Sequence, residues 1–237
     1  MLLPTAVSAD EIARFNAMAA NWWDPAGPMR PLHRMNPARI GWVIERTARS
    51  FPAMAGLRLL DVGCGAGLAA EALARRGFDV LGVDAAGEAI DAARAHAAGQ
   101  GLTIAYRSGV AEDLLAEGLH FPVITALEVI EHVPDPRAFV ATLAGLLEPG
   151  GVLFLSTLNR TPRSFLAAKV GAEYLLRWLP VGTHDWRRFI TPAELAGMLR
   201  GAGLRVSDVA GLVADPLTGR WRASRDLAVN YIAAAGS

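Results

Sequence analysis

Two carboxylates and three glycines in the first half of the chain have a spacing that suits ligand binding. Asp61 lies in a short apolar run typical of a strand buried on both faces, and Gly63, Gly65 and Gly67 follow it at alternate positions. Asp84 ends the next apolar run, about 20 residues further on, where a ribose-binding carboxylate is expected. Because glycines at a strand-to-helix turn let the backbone approach a ligand closely, the pattern predicts a nucleotide-type cofactor site.

A second group of reactive side chains, Glu128, Glu131 and His132, follows the fourth apolar run, 122–127. In an open α/β sheet, ligands bind beyond the carboxyl ends of the strands, so we expect this group beside the glycine turn. Two carboxylates and an imidazole within one turn can bind a divalent cation such as Mg²⁺. His132 alone can instead act as a general base, because its ordinary pKa lies near neutrality. The third interpretation is a hydrogen-bonded helix start without chemistry.

The glycine motif favours one of two cofactor classes. A dinucleotide site of the form G-x-G-x-x-G requires a third glycine at the position of Leu68. An acid two residues before the first glycine instead resembles the first motif of class I methyltransferases, which bind S-adenosylmethionine. The resemblance implies that Asp61 holds the ammonium group of that ligand, directly or through water, and that the ligand's carboxylate lies near the glycine turn. An NAD(P)-dependent oxidoreductase is the first alternative.

The segment 108–113, after the third apolar run, resembles the part of class I methyltransferases that lines the adenine. The matching positions are Val110, Ala111 and Glu112. The other interpretation of this segment is an ordinary solvated acidic loop.

Charge balance and cysteine content limit the classes of partner. The 237 residues include 23 basic and 23 acidic side chains and 52% hydrophobic residues, which predicts a globular chain. Without a basic excess, no nucleic-acid partner is expected. The one cysteine, Cys64, suits a reducing compartment, and there is no signal-peptide pattern and no apolar run of about 18 residues. We therefore expect a cytoplasmic protein that is soluble or peripheral on the inner face of the membrane.

From residue 57 onward, apolar runs and helical patterns alternate, which is typical of a doubly wound parallel sheet. The predicted strands are 58–62, 79–84, 103–107, 122–127, 152–158, 204–212 and 227–233, the last two forming an antiparallel pair. The predicted helices are 68–76, 88–98, 136–147 and a helix from a capping box at Thr191 and Glu194 to Gly201. The predicted fold class is therefore α/β, a Rossmann-like sheet of seven strands of the class I methyltransferase type.

Two helices are predicted before the first strand, as an N-terminal helical cap. Ser8 and Glu11 have the spacing of a capping box, and the helix that follows carries an apolar stripe. Prolines predict an irregular segment at 31–37, and the second helix is predicted at 38–49. Trp22 and Trp23 are predicted to be core residues.

An amphipathic insertion is predicted after the fifth strand. Its helix, 164–179, places Lys169, Glu173 and Arg177 on one narrow stripe and is otherwise apolar. Such a helix either packs against the domain or lies on a membrane surface or a long lipid substrate. The chain is thus predicted to be one domain, 1–237, with a helical cap at 8–50, a cofactor-binding core at 57–158, the insertion at 160–190 and a C-terminal helix and strand pair at 191–237.

From Asp10 to Ala233 the chain resembles the ubiquinone-biosynthesis O-methyltransferase family. The motifs that carry the resemblance are Trp22-Trp23-Asp24, Pro31-Leu-His-Arg34, Asn36-Pro-x-Arg39, Leu60-Asp-Val-Gly-Cys-Gly65, Glu128-x-x-Glu-His-Val-Pro-Asp-Pro136, Ser156-Thr-Leu-Asn-Arg160, Gly171-Ala-Glu-Tyr174, Gly182-Thr-His-Asp185 and Val229-Asn-Tyr231. The resemblance implies methyl transfer from S-adenosylmethionine to phenolic hydroxyls of polyprenylated catechol or demethylubiquinol intermediates. A binding subunit without catalysis is the second alternative.

The resemblance also implies roles for individual residues. It implies cofactor contacts at Arg39, which reaches the methionine carboxylate, and at Gly63, Asp84 and Leu127. With the positions derived above, the expected cofactor-binding set is Arg39, Asp61, Gly63, Gly65, Asp84, Ala111, Glu112 and Leu127.

The family resemblance extends to metal, base and lipid contacts. It implies a divalent cation, Mg²⁺ or another, at Glu128, Glu131 and His132, and either His132 or Glu131 is the expected catalytic base. It further implies contact of the polyprenyl substrate and membrane lipid with 164–180. Other ubiquinone-biosynthesis proteins are expected partners.

Overall fold

The computed structural model describes residues 8–166, 186–215 and 218–237. Its helices are α1 (Ala9–Met18), α2 (Arg30–Ser50), α3 (Leu68–Ala74), α4 (Gly87–Gly99), α5 (Ala111–Ala116), α6 (Pro136–Leu146), α7 (Pro162–Ser164) and α8 (Pro192–Gly201). Its strands are β1 (Arg58–Val62), β2 (Asp79–Asp84), β3 (Ala105–Ser108), β4 (Phe121–Leu127), β5 (Leu147–Leu158), β6 (Arg205–Ala214), β7 (Trp221–Ser224) and β8 (Asn230–Gly236).

These strands form one sheet in the order β3-β2-β1-β4-β5-β8-β6-β7. Strands β1 to β5 are parallel, and β8 joins them antiparallel to β5. The strand order reverses between β1 and β4, and ligands of open α/β sheets bind at such a reversal, beyond the carboxyl ends of the strands. The predicted α/β fold class is confirmed.

The sheet has one strand more than the sequence predicts. Strand β7 pairs antiparallel with β6 at the edge of the sheet. Its four residues, Trp-Arg-Ala-Ser, are partly or fully exposed and show no apolar alternation, so they carry no strand signal. The predicted strand 227–233 begins later, at Asn230, because the preceding residues form a loop.

The second helix of the N-terminal cap is longer than predicted. It begins at Arg30 and continues through Pro37 to Ser50. Pro31 lies in the first turn, where its missing amide hydrogen has no helical acceptor, and Pro37 removes one hydrogen bond from a helix whose inner face is buried. The prediction of an irregular segment at 31–37 is therefore wrong, because tertiary packing outweighs the two prolines.

Helices cover both faces of the sheet. Side chains of α5, α6 and α8 pack in one apolar cluster with β4 and β5, and side chains of α2, α3 and α4 pack in a second cluster on the opposite face. The helix α1 packs against α4. Both N-terminal helices are therefore held against the core by buried apolar surface, which is the main favourable term in folding.

One of the two predicted capping boxes forms completely. Thr191 and Glu194 exchange the two expected hydrogen bonds at the start of α8. At the start of α1, Ser8 Oγ accepts from the Glu11 amide at 3.3 Å, but the Glu11 carboxylate is directed to Arg14 and His132 instead. The second half of that box is thus replaced by a contact far away in the sequence.

The predicted insertion helix, 164–179, lies outside the described residues from 167 to 185. Its first residues, Phe165 and Leu166, are exposed. Among the helices that the structure describes, none combines the length and the hydrophobicity needed to span a membrane.

Candidate active site

One cavity contains every residue that the sequence predicts for the site. Its volume is about 410 Å³, within the usual range for small-molecule sites. The predicted residues that line it are Arg39, Asp61, Gly63, Gly65, Asp84, Ala111, Glu112, Leu127, Glu128, Glu131 and His132. The cavity lies at the carboxyl ends of β1, β2 and β4, and the N-terminal helices form its other wall.

The glycine turn after β1 is fastened to Asp84. Gly63, Gly65 and Gly67 all have positive φ, between 52° and 88°, which side chains other than glycine adopt at a cost. Asp84 Oδ2 accepts from the Gly65 amide at 2.8 Å, and Oδ1 accepts from the Ala86 amide at the same distance. Burial raises the pKa of Asp84, and these two hydrogen bonds lower it in part. Asp84 therefore shapes the turn, in addition to any contact with a ribose.

Two tryptophans clamp the same turn. The Trp22 ring lies where a Cβ at Gly65 would be, and Trp23 Nε1 donates to the carbonyl of Ala66 at 3.0 Å. Trp23 is also stacked on the ring of His96, with ring centroids 3.5 Å apart. Trp22 is buried, as predicted, but it also lines the cavity.

We predict that Gly65→Ala weakens cofactor binding tenfold or more and lowers the melting temperature. Alanine at a left-handed position costs about 1–2 kcal/mol, and the new methyl group also displaces Trp22 from the turn. Calorimetric titration and thermal unfolding measure the two effects.

Gly101→Ala is the matched control for this prediction. Gly101 also has positive φ, 66°, but a Cβ there meets no atom of the described residues within 4 Å. Equal losses of stability and unchanged ligand affinity in both variants would show that the Trp22 contact does not matter.

Arg39 carries a cationic group into the cavity wall. Its Nε donates to Asn36 Oδ1 at 2.9 Å, and Asn36 Nδ2 donates to the Leu68 carbonyl at 2.9 Å, so the guanidinium is oriented by the first residue of α3. Arg39 is 4% exposed, and its Nη1 has no hydrogen-bond partner among the described residues. Burial lowers its pKa, and the charges of Glu128 and Asp61 oppose that shift.

Asp61 supplies the opposite charge. Its Oδ1 accepts from Thr125 Oγ1 at 2.7 Å, whereas its buried Oδ2 has no hydrogen-bond partner within the described part of the chain. Burial raises the pKa of Asp61 to about 6, and the Thr125 hydrogen bond and the Arg39 charge act in the other direction. An unpartnered donor on Arg39 and an unpartnered acceptor on Asp61 suit a ligand with both a carboxylate and an ammonium group.

The segment predicted to line an adenine begins a helix instead of a loop. Ala111 is buried at the start of α5, and Glu112 follows it. Glu112 Oε2 is buried and unpartnered among the described residues, and burial raises the pKa of this carboxyl. The interpretation of 108–113 as a solvated loop is therefore wrong from Ala111 onward.

Glu128 is held in a strained backbone conformation at the end of β4. Its φ of 60° is the one positive φ that a residue other than glycine adopts in the described part of the chain. The Glu128 amide donates to the Ser156 carbonyl at 3.0 Å, and Ser156 Oγ donates to Glu128 Oε1 at 2.6 Å. Such strain persists where the surroundings enforce it, often at functional sites.

Glu131 lies one turn further along and is 4% exposed. Its Oε2 accepts from Thr157 Oγ1 at 2.8 Å. Burial, and next the negative charge of Glu128, raise the pKa of Glu131 to about 7. Glu131 can therefore accept or release a proton near neutral pH.

His132 pairs with a carboxylate from the N-terminal helix. Its Nδ1 lies 3.3 Å from Glu11 Oε2, and the ring of Phe15 packs edge-on against the imidazole. Burial alone would lower the pKa of His132, but Glu11 and the charges of Glu131 and Glu128 raise it above its ordinary value. With Nδ1 facing Glu11, Nε2 is the ring nitrogen left for a ligand.

The predicted metal ligands do not form a metal cluster. Within the described residues, no group of three or more His, Cys, Asp and Glu side chains is arranged to hold a metal ion. Ser156, Thr157 and Glu11 instead face Glu128, Glu131 and His132 respectively.

Several cavity residues were not predicted from the sequence. The apolar stripe of α1 lines the cavity through Ile12, Phe15 and Met18, and the far wall includes Trp221 and Asn230. The stripe itself is visible in the sequence, but it indicates only that one face is buried and not what that face covers.

Comparisons with known proteins agree on one class. Residues 32–209 match the family described as "Methyltransferase domain". The chain is 50% identical over 242 residues to the ubiquinone biosynthesis O-methyltransferase of Cereibacter sphaeroides, with 99% of this chain and 98% of the relative covered. It is also 50% identical to the protein of that name from Methylobacterium nodulans, with 97% and 95% covered.

Solved structures share the fold at low sequence identity. Magnesium protoporphyrin IX methyltransferase from Synechocystis with bound SAH superposes with a TM-score of 0.68, at 19% identity, covering 96% of this chain and 99% of that one. A SAM-dependent methyltransferase from Thermotoga maritima, described as a possible histamine N-methyltransferase, gives a TM-score of 0.63 at 16% identity, covering 95% and 98%.

Proposed function

The chain belongs to the ubiquinone biosynthesis O-methyltransferase family, and we propose that it transfers a methyl group from S-adenosylmethionine to a phenolic hydroxyl of a polyprenylated catechol or demethylubiquinol. The observation that carries the cofactor assignment is the pair of unpartnered, oppositely charged groups, Arg39 Nη1 and Asp61 Oδ2, in one cavity. Family membership argues against the oxidoreductase alternative, as does Leu68 in place of a third motif glycine.

The described residues fit S-adenosylmethionine by charge. In the proposal, Arg39 binds the carboxylate and Asp61 binds the ammonium group of the methionine part, while Asp84 binds the ribose. Ala111 and Glu112 line the adenine, and the glycine turn lets the backbone approach the ligand. When bound, the cofactor supplies a methyl group on a positively charged sulfur to an oxygen nucleophile.

The protein's own contribution to the reaction is placement and proton removal. A free phenol has a pKa near 10, so little phenolate exists at neutral pH. We assign His132 Nε2 as the proton acceptor, because Glu11 holds Nδ1 and favours a positive charge on the ring. Glu131, with a pKa of about 7, is the second group that can take the proton. The apolar side chains of α1 exclude water from the ring and orient it.

A divalent cation at Glu128, Glu131 and His132 is a finer part of the proposal. The donor set suits Mg²⁺ or a related ion, and the repulsion between the two buried carboxylates, which raises the pKa of Glu131, favours a cation between them. Ser156, Thr157 and Glu11 each face one donor atom, as outer-shell partners of metal ligands do. When bound, the cation would lower the pKa of the phenol.

Lipid contact through 164–180 also remains a proposal. The exposed side chains of Phe165 and Leu166, at the start of this segment, support it. Binding to vesicles that contain anionic lipid, compared with Phe165→Ser, tests it. Contacts with other ubiquinone-biosynthesis proteins are likewise proposed on family grounds alone.

Methyl transfer from labelled S-adenosylmethionine to a short-chain catechol, with and without chelator, tests the function. Product formation supports the proposal, and calorimetry with S-adenosylmethionine and with NAD checks the cofactor separately. A rate that falls with chelator and recovers with Mg²⁺ supports the cation, whereas an unchanged rate leaves proton removal to His132 or Glu131. Cofactor binding without any product would contradict the proposed reaction and favour a binding subunit.

A further inference from the structure

Asn230 stands at the functional edge of the sheet without a role in the proposed chemistry. It begins β8 and lies opposite Leu158, the last residue of β5. The antiparallel start of β8 therefore shares an edge with the carboxyl ends of the parallel strands. Asn230 is 5% exposed and lines the cavity.

The side-chain amide of Asn230 is poorly satisfied inside the protein. Its Nδ2 donates only to the thioether sulfur of Met35, at 3.3 Å, which is a weak acceptor. Its Oδ1 is buried and has no hydrogen-bond partner in the described part of the chain. An unsatisfied buried polar group costs about 1–3 kcal/mol, so a ligand that supplies a donor would gain from this oxygen.

The surroundings of the amide indicate what that ligand is. The neighbouring cavity residues are Leu158, Val229, Met35 and Trp221, all of which are apolar or aromatic. An apolar wall with one isolated acceptor suits a flat aromatic ring that carries a hydroxyl group. It does not suit a ribose or a phosphate, which would need several polar partners.

We infer that Asn230 Oδ1 accepts a hydrogen bond from the substrate hydroxyl beside the one that is methylated. This inference rests on the proposed function. The proposed catechol and quinol substrates share such a neighbouring hydroxyl, so one residue can serve both. Asn230 is thereby a specificity-determining residue that distinguishes an ortho-dihydroxy ring from a simple phenol.

The test compares two substrates in the full-length protein. One is a short-chain catechol, and the other is the corresponding phenol without the neighbouring hydroxyl. The wild type prefers the catechol, and Asn230→Leu, which keeps the shape and removes both polar atoms, lowers kcat/KM for the catechol about tenfold. Its kcat/KM for the phenol stays unchanged, because no partner for Oδ1 is lost. Asn230→Asp, which keeps an acceptor oxygen, restores part of the preference.

Asn159→Leu is the matched control. Asn159 is also buried with an unpartnered Oδ1 among the described residues, and its Nδ2 donates to the Leu227 carbonyl, but it does not line the cavity. This variant tests the stability cost of the substitution, and we expect it to keep the wild-type preference between the two substrates.

Three outcomes would overturn the inference. Equal losses on both substrates would make Asn230 structural, and a weaker affinity for S-adenosylmethionine in calorimetry would place it at the cofactor. An active wild type whose catechol preference survives in Asn230→Leu also contradicts it. If the wild type methylates no catechol at all, the proposed function itself fails and the inference fails with it.

Discussion

Replacing Arg39 by methionine raises the dissociation constant of S-adenosylmethionine about 100-fold. A hydrogen bond to a charged group contributes about 1.5–3 kcal/mol, and the ligand carboxylate would lose its buried partner as well. Asp61 would also lose the positive charge that holds its pKa down, so more of it would be protonated and unable to bind an ammonium group. Calorimetric titration of the purified variant measures the affinity, and circular dichroism checks the fold.

Arg49→Met is the control for Arg39→Met. Arg49 lies on the same helix, with 57% of its side chain exposed, and pairs with Glu45 and Asp208 at the surface. We expect its affinity for the cofactor to equal that of the wild type. A cofactor analogue without the carboxylate makes the test sharper, because it should bind the wild type and Arg39→Met equally weakly. An undiminished affinity for S-adenosylmethionine in Arg39→Met would contradict the assignment.

The cofactor half of the site could be predicted from local sequence. Asp61, the glycines and Asp84 lie on two successive strand ends, and parallel strands bring such ends together without further information. The positive φ values in the turn follow from the same glycines. What the motif does not contain is the reason for its rigidity, since Trp22 and Trp23 reach the turn from a segment about 40 residues earlier.

The substrate half depends on contacts between distant segments, which no local pattern encodes. Glu11 has the spacing of a capping residue, and only the packing of α1 over the sheet brings it to His132. Asn230 reads as the beginning of a strand, and its unsatisfied amide becomes visible only when β8, α2 and the cavity are seen together. The prolines of α2 mislead for a related reason, because the propensity rule applies to isolated helices and this helix is buried along one face.

The positions of Glu128 and Glu131 illustrate a second limit. The sequence places three possible ligands within one turn, but it does not specify where each side chain points. The left-handed backbone at Glu128 turns its carboxylate to Ser156, and Glu131 turns to Thr157, so neighbours in sequence face different partners. Backbone strain of this kind is a tertiary property, and no residue type other than glycine predicts it.

His132→Ala lowers kcat by a factor of about 100 to 10,000, the range that general bases contribute, and leaves the affinity for S-adenosylmethionine within about threefold. The affinity is expected to persist because Arg39 and Asp61, not His132, carry the charges assigned to the cofactor. His120→Ala is the matched control, since His120 is exposed and precedes β4 at the opposite edge of the sheet. Steady-state kinetics with the short-chain catechol and calorimetry measure the two quantities.

The pH dependence distinguishes a base from a merely structural histidine. A base acts in its deprotonated form, so kcat rises as the pH rises through the pKa of His132. Glu11 stabilises the protonated ring and raises that pKa, and Glu11→Gln therefore moves the rising limb of the profile to lower pH. Glu131→Gln removes another negative charge and moves the limb in the same direction. A His132→Ala variant with near wild-type kcat, or a Glu11→Gln profile that coincides with the wild-type one, would assign proton removal to Glu131 instead.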